Sequence, residues 1–207
     1  MRLIISCLIF SAGVFAADPL VKYRAAVEKF EAKKYAEAQK LFNEFISENP
    51  YEAEVKKSWY YMALASEAQG HYHEAITRAN ITLDRYPGHG DRLELRVLTG
   101  ECLYKVNAHA RAEKILLDTA RTVKDGKLRY RIEKTLGLIA YDARLMPKAA
   151  GHLKAAVRIH EKSPTGDADV FNAYKTLGQI YAEDALQIEA AATYLTTAIQ
   201  IGEAQKN

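Results

Sequence analysis

The most informative segment of the sequence runs from residue 59 to residue 87 and reads WYYMALASEAQGHYHEAITRANITLDRYP. Its first half repeats apolar and small residues, beginning with Trp59 and Met62, at the three- and four-residue spacings of one helix face. Gly70 interrupts this pattern, and a second helical run follows until Pro87, which cannot continue a helix. The segment therefore predicts two helices joined by a short turn.

The same arrangement recurs along the chain at a regular interval. A small residue on the first helix of each segment is followed, 12 positions later, by an alanine on the second helix. The first-helix residues are Ala26, Ala63, Gly100, Gly137 and Gly178, and the second-helix residues are Ala38, Ala75, Ala112, Ala149 and Ala190. Successive members of both sets lie 37, 37, 37 and 41 residues apart, which indicates five copies of one helical hairpin.

The small residues predict close contact between the two helices of each hairpin. Antiparallel helices approach closely only where one of them presents glycine or alanine, so we expect the first-helix residue to face the matching alanine. Glycine inside a helix costs about 1 kcal/mol relative to alanine. Three such glycines in register therefore indicate a packing demand that outweighs this cost. The longer fourth interval predicts a longer loop at residues 163–167, and we expect one continuous core along the stack.

These residues resemble the tetratricopeptide repeat (TPR), whose pattern is W-x2-L-G-x2-Y, then A-x3-F, then P. Tyr174-x2-Leu177-Gly178-x2-Tyr181 resembles its opening half, and Ala38-x3-Phe42 with a later proline resembles its closing half. The resemblance implies an all-α, right-handed α-solenoid of five TPR hairpins, over residues 19–52, 56–89, 93–126, 130–163 and 171–204. Because the period is 37 rather than 34, we expect about one extra helical turn at the start of each first helix.

The first 16 residues predict a signal peptide that precedes a TPR domain at residues 17–207. Arg2 is the only charge before Asp18, the next 13 residues are mostly apolar, and small residues predict cleavage after Ala16. The apolar stretch is too short to span a bilayer, and an uncleaved N-terminal anchor is the alternative. The prediction is therefore a periplasmic protein. Its first two repeats, with Tyr35-Ala36-Glu37-Ala38, also resemble periplasmic TPR proteins of the Tol-Pal and outer-membrane assembly systems.

Composition and motifs argue against several classes of function. Without residues 1–16 the chain carries 28 basic and 26 acidic residues, whereas a nucleic-acid binder shows a basic excess. No nucleophile elbow, Walker loop or dinucleotide fingerprint is present, so we predict neither catalytic residues nor a cofactor. His71 and His73 precede Glu74, but Thr77 stands where a zinc motif needs histidine, so no metal site is predicted. Cys102 is interpreted as a buried small hydrophobe.

The resemblance implies that the first helices line a concave groove that binds a protein or peptide. Residues three before, one after and four after each small residue share a helix face. The predicted groove residues are Tyr23, Val27, Phe30, Tyr60, Leu64, Glu67, Val97, Glu101, Tyr104, Lys134, Leu138, Tyr141, Lys175, Gln179 and Ala182, together with Lys57 and Arg131, which lie one turn earlier on the same face. The alternative is that the apolar members, such as Tyr23 and Leu64, are core residues. A Lys/Asn/Arg clamp for a partner's terminal carboxylate is not expected, because Val27 stands where it needs asparagine.

Three functions follow from this interpretation. The first is a non-catalytic scaffold or adaptor of the bacterial envelope, which contacts the membrane only through its partners. The second is self-association through an apolar end of the last repeat, formed by Leu195, Ile199 and Ile201. The third is carriage of a small ligand in the groove.

Overall fold

The computed structural model describes residues 18–163 and 170–204. Within these ranges it contains ten α-helices, one short 3-10 helix and no strand, which confirms the all-α prediction. The helices are α1 (Val21–Glu31), α2 (Tyr35–Glu48), α3 (Val55–Ala68), α4 (Tyr72–Arg85), α5 (Arg92–Lys105), α6 (His109–Ala120), α7 (Gly126–Asp142), α8 (Met146–Lys162), α9 (Val170–Ala182) and α10 (Ile188–Ala204). The predicted signal peptide and most of the predicted longer loop lie outside the described residues.

Consecutive helices pack as five hairpins that stack along the chain. Each odd-numbered helix packs against the next even-numbered one, and each even-numbered helix packs against the odd-numbered helix that follows. Odd-numbered helices of neighbouring hairpins also contact each other, whereas no two even-numbered helices in the described ranges do. The first helices therefore lie on the inner side of the stack and the second helices on the outer side, as in a helical solenoid.

The turn inside each of the first four hairpins contains one residue in the left-handed conformation. These residues are Lys33, Gly70, Asn107 and Arg144, with φ between 58° and 77°, and they follow the 37-residue period. At the second turn the backbone N–H of His71 donates to the carbonyl of Ser66, which satisfies a carbonyl that the helix leaves unpaired. Gly70 and, more weakly, Asn107 are turn signals in the sequence, whereas Lys33 and Arg144 are not.

The glycines of the first helices meet leucines rather than the alanines that we expected. An added Cβ would lie 2.5 to 2.7 Å from the nearest side-chain atom of Leu116 at Gly100, of Leu153 at Gly137 and of Leu195 at Gly178. Leu116 and Leu153 lie four residues beyond Ala112 and Ala149, which are fully buried. Leu195 lies four residues beyond the buried Ala191, so the fifth hairpin is shifted by one residue from the predicted Ala190. Glycine is therefore needed on the first helix because the leucine side chain of the second helix occupies the space that a Cβ atom would fill.

The additional residues of each repeat do not lengthen the first helices in general. Helix α3 begins at Val55 and α5 at Arg92, so each starts eight residues before its small residue. The loops at residues 49–54 and 86–91 hold the additional residues instead, because Pro50 and Pro87 prevent continuation of α2 and α4. Among α3, α5 and α7, whose starts lie within the described residues, α7 alone starts earlier, 11 residues before Gly137.

The buried residues form three clusters rather than one continuous core. They lie around α1 and α2, around α3 to α7, and around α7 to α10. In the last hairpin Leu195 contacts Gly178, and Ile201 packs partly against the third cluster. Of the three residues expected to form an apolar end, only Ile199 is largely exposed, at 59%.

Candidate functional site: the groove between the first helices

A cavity of about 750 Å³ opens between α3, α5 and α7 on the inner side of the stack. Its walls combine apolar and charged side chains from three consecutive hairpins. The predicted groove residues that line it are Leu64, Glu67, Glu101, Tyr104, Arg131, Lys134 and Leu138. The fold brings them together because the 37-residue repeat places equivalent positions of neighbouring first helices side by side.

An ion-pair network joins α7 to α5 in the wall of this cavity. The Arg131 guanidinium donates to both carboxylate oxygens of Glu101, and Nη1 lies 3.6 Å from Oε1 of Glu94. The Arg131 and Glu101 side chains are each only 16% exposed. Burial opposes the charge of Arg131, but Glu101 raises its pKa above the ordinary value, so the guanidinium stays charged. The network fixes the relative position of the third and fourth hairpins.

A second network joins α3 to the start of α5 at one end of the groove. The Tyr60 hydroxyl donates to Oε2 of Glu94 over 2.8 Å, and Lys57 pairs with Asp91 over 2.6 Å. The Lys57 ammonium also lies 4.8 Å from the centre of the Tyr60 ring. Burial and the bond to Glu94 raise the pKa of Tyr60. Because Tyr60 is largely buried, it and Lys57 serve mainly to connect neighbouring hairpins.

Two further ionisable groups face the cavity in surroundings that disfavour their charged forms. Burial, and then the neighbouring charge of Glu101, raise the pKa of Glu67 above its ordinary value. Burial raises the pKa of the Cys102 thiol to about 12, with Glu67 and Glu101 contributing in the same direction. Cys102 is 1% exposed and remains a thiol at neutral pH, so its environment is that of an unreactive cysteine.

The predicted groove residues of the first hairpin belong to an aromatic cluster instead of the cavity. Tyr23 packs against Phe42 and Phe45, with ring centres 6.0 and 5.5 Å away. Phe30 lies 5.0 Å from the ring of Tyr61, which is stacked on Phe42. These side chains close the first cluster of the core and remain partly exposed beside the groove.

The remaining predicted groove residues lie in three different environments. Val97 is 0% exposed and belongs to the core around α5, so it is not available to a partner; its position faces the neighbouring helices rather than the groove. Tyr141 is half-buried against the C-terminal cluster. Lys175 and Gln179 are exposed on α9, and the Lys175 ammonium lies 5.6 Å from the Phe171 ring.

Three charged residues of this region were missed by the sequence prediction. Lys105 and Lys127 line the cavity, and Glu94 joins the two ion-pair networks. Glu94 lies 37 residues from both Lys57 and Arg131, so the repeat itself carried the signal for its position. Lys127 has no such signal, because it lies on an extra first turn of α7 that α3 and α5 lack.

The described part of the chain lacks the residue groupings of a metal site and the helices of a membrane span. No group of three or more His, Cys, Asp or Glu residues there is arranged to hold a metal ion. None of the helices placed by the structure combines the length and the apolar character needed to cross a membrane. In this part of the chain His152 has a buried ionic partner, since its Nδ1 lies 2.7 Å from Oε2 of Glu133.

The chain has the fold of a tetratricopeptide-repeat solenoid, as the sequence predicted. It is similar to the apo form of the quorum sensor NprR from B. thuringiensis, with a TM-score of 0.77 and 14% identity over 89% of this chain and 54% of that one. It is also similar to the apo form of RapI, with a TM-score of 0.74 and 16% identity over 91% of this chain and 71% of that one. For MamA from Desulfovibrio magneticus RS-1 the TM-score is 0.67 and the identity 18%, over 91% of this chain and 97% of that one. At these identities the likeness shows the fold alone. No protein-family model and no curated protein sequence matches the chain.

Proposed function

We propose that this chain is a non-catalytic adaptor that holds a peptide or a partner helix in the groove between α3, α5 and α7. The observation that carries the proposal is the cavity of about 750 Å³, whose walls place apolar and charged side chains from three hairpins next to each other. A surface of this kind suits an extended segment, because apolar side chains provide binding energy and charged ones provide specificity.

The proposal includes a location in the bacterial envelope. It is supported by the signal-like pattern of residues 1–16 and by the weaker likeness of the first two repeats to periplasmic TPR proteins. N-terminal sequencing of the protein purified from cells tests it. A chain that begins at Ala17 in the periplasmic fraction supports the location, whereas a chain in the cytoplasmic fraction that retains Met1 contradicts it.

Site-specific photo-crosslinking tests whether the groove holds the partner. Ala68 is exposed and lines the cavity, whereas Ala110 is exposed on the outer helix α6. We expect a benzoylphenylalanine at position 68 to give a discrete crosslinked product in living cells. The same group at position 110 is the matched control. Equal products at both positions, or a product at position 110 alone, would show that the partner does not occupy the groove.

A second candidate function is self-association through the outer face of α10. Ile188 and Ile199 are exposed there at 61% and 59%, and the helix carries no lysine or arginine in its 17 residues. Sedimentation at several concentrations, with Ile199→Lys as the variant, tests this candidate. A dimer that the variant abolishes supports it, and a monomer at all concentrations removes it.

A further inference from the structure

The charges that line the cavity are not balanced once the internal ion pairs are considered. Arg131 is engaged by Glu101 and Glu94, as described above. Lys105 and Lys127 also line the cavity, are exposed, and form no ion pair with any residue in the described ranges. Two ammonium groups at the rim of the cavity are therefore available to a partner.

The acidic side chains of the cavity do not offset these two charges. Glu101 is already paired with Arg131, which leaves Glu67 as the only other carboxylate of the described cavity lining. The described lining therefore holds four basic side chains, Lys105, Lys127, Arg131 and Lys134, against the two carboxylates of Glu67 and Glu101. The cavity therefore presents a net positive surface with apolar side chains inside it.

The surrounding segment strengthens the same field. Residues 107–163 contain 13 lysine and arginine residues and 6 aspartate and glutamate residues, although the whole chain carries a net charge of only +3. This segment includes α7, which supplies one wall of the cavity. Clustered charges of one sign attract an oppositely charged partner over longer distances than a single contact does.

We propose that the segment bound in the groove is acidic, with carboxylates at Lys105 and Lys127 and an apolar side chain between Leu64 and Leu138. This inference rests on the groove function proposed above and specifies the chemistry of its partner. A peptide fits better than a nucleic acid, because every unit of a phosphate backbone carries a negative charge, whereas the cavity also contains the unpaired carboxylate of Glu67 and the apolar side chains of Leu64 and Leu138. A peptide can place uncharged side chains beside them and carboxylates only at the rim.

Selection from a random dodecapeptide library displayed on phage tests the inference with a defined probe. We expect peptides selected on the wild-type chain to be enriched in Asp and Glu together with large apolar residues. A representative selected peptide should bind Lys105→Glu/Lys127→Glu about tenfold more weakly than wild type in fluorescence anisotropy, and its binding should weaken as salt is raised.

A matched control changes the net charge of the protein by the same amount as the test variant. Lys114→Glu/Lys124→Glu makes the same change at two exposed lysines that do not line the cavity, and we expect it to bind the peptide as wild type does. Equal losses in the two double variants would show that only the overall charge matters, which overturns the placement of the carboxylates.

The remaining outcomes separate this inference from the groove function itself. Enriched peptides without an acidic bias that still compete at the cavity would overturn the inference and leave the groove function standing. A library that yields no binder, with no crosslink at position 68, would overturn both. Displacement of the selected peptide by a random 12-nucleotide single strand at equal concentration would show that the groove accepts any polyanion, which also contradicts the peptide inference.

Discussion

A Cβ atom added to Gly137 would lie 2.6 Å from Cγ of Leu153 and 3.2 Å from the backbone nitrogen of the same residue. The leucine side chain could move, but the backbone of α8 could not do so without separating the two helices. The same geometry recurs between Gly178 and Leu195. The glycine is therefore a requirement of the hairpin crossing, and its helix-weakening effect is accepted for that reason.

Gly137→Ala should destabilise the protein by about 1–3 kcal/mol, because the added methyl group overpacks the crossing of α7 and α8. Chemical denaturation monitored by circular dichroism measures the change. Gly151→Ala is the matched control, since Gly151 lies exposed inside α8 with no atom within 4 Å of an added Cβ. It should stabilise the protein by up to about 1 kcal/mol. A stabilising effect at both positions would refute the crossing geometry.

Arg144→Gly should stabilise the protein by about 1 kcal/mol. Arg144 occupies the left-handed region at φ 58°, where a non-glycine residue is strained by about 1–2 kcal/mol, and glycine relieves this strain. The gain is reduced because glycine also increases the entropy of the unfolded chain. Asn107→Gly at the equivalent turn should change stability less, since asparagine tolerates this conformation. Thermal unfolding of both variants checks the order of the two effects.

Removal of one partner of the Arg131–Glu101 pair should destabilise the chain by about 3 kcal/mol, because it leaves a largely buried charge unpaired. We expect this loss of stability for the single variant Arg131→Met, in which the Glu101 carboxylate loses its partner. The double variant Arg131→Met/Glu101→Leu should recover much of the stability, since no buried charge remains from the pair. A double-mutant cycle of unfolding free energies measures the coupling. Strictly additive losses would show that the two residues act independently.

Glu133→Gln should make the protein less stable at neutral pH, by about 1–3 kcal/mol, and the difference should shrink in acid. Burial alone would raise the pKa of Glu133, but the hydrogen bond to His152 and the charge of Arg129 lower it overall. A carboxyl group with a lowered pKa in the folded state contributes stability above its ordinary pKa and loses it as the pH falls through the lowered value. Urea unfolding at pH values from about 3 to about 7, a range that spans the titration of carboxylates, measures this dependence.

Glu67→Gln should have the opposite effect at neutral pH and stabilise the protein. Burial and Glu101 raise the pKa of Glu67 in the folded state, so its carboxylate form opposes folding above the ordinary pKa of glutamate. The advantage of glutamine should disappear as the pH falls below that ordinary value, where Glu67 is protonated in both states. The same urea series measures it, and a destabilised variant at neutral pH would contradict this environment for Glu67.

The sequence predicted some parts of the candidate site and could not predict others, for a geometric reason. Glu101 and Arg131 were placed on the inner face by their helical spacing from Gly100 and Gly137, and both line the cavity. Val97 has equally good spacing but is fully buried, because the neighbouring helices of adjacent hairpins cover it. Helical periodicity assigns a residue to a face, but it does not determine how closely the next hairpin packs against that face.

By itself the sequence determined the all-α class, the number of hairpins and the register of the first four, since the 37-residue spacing of small residues is a local pattern that any stack of hairpins must preserve. Only the tertiary structure decided that leucine side chains are the nearest neighbours of the glycines at the crossings, and that Lys105 and Lys127 of the groove form no ion pair within the described residues. These properties depend on side chains that lie far apart in sequence, and their distances are set by helix packing rather than by the pattern along the chain.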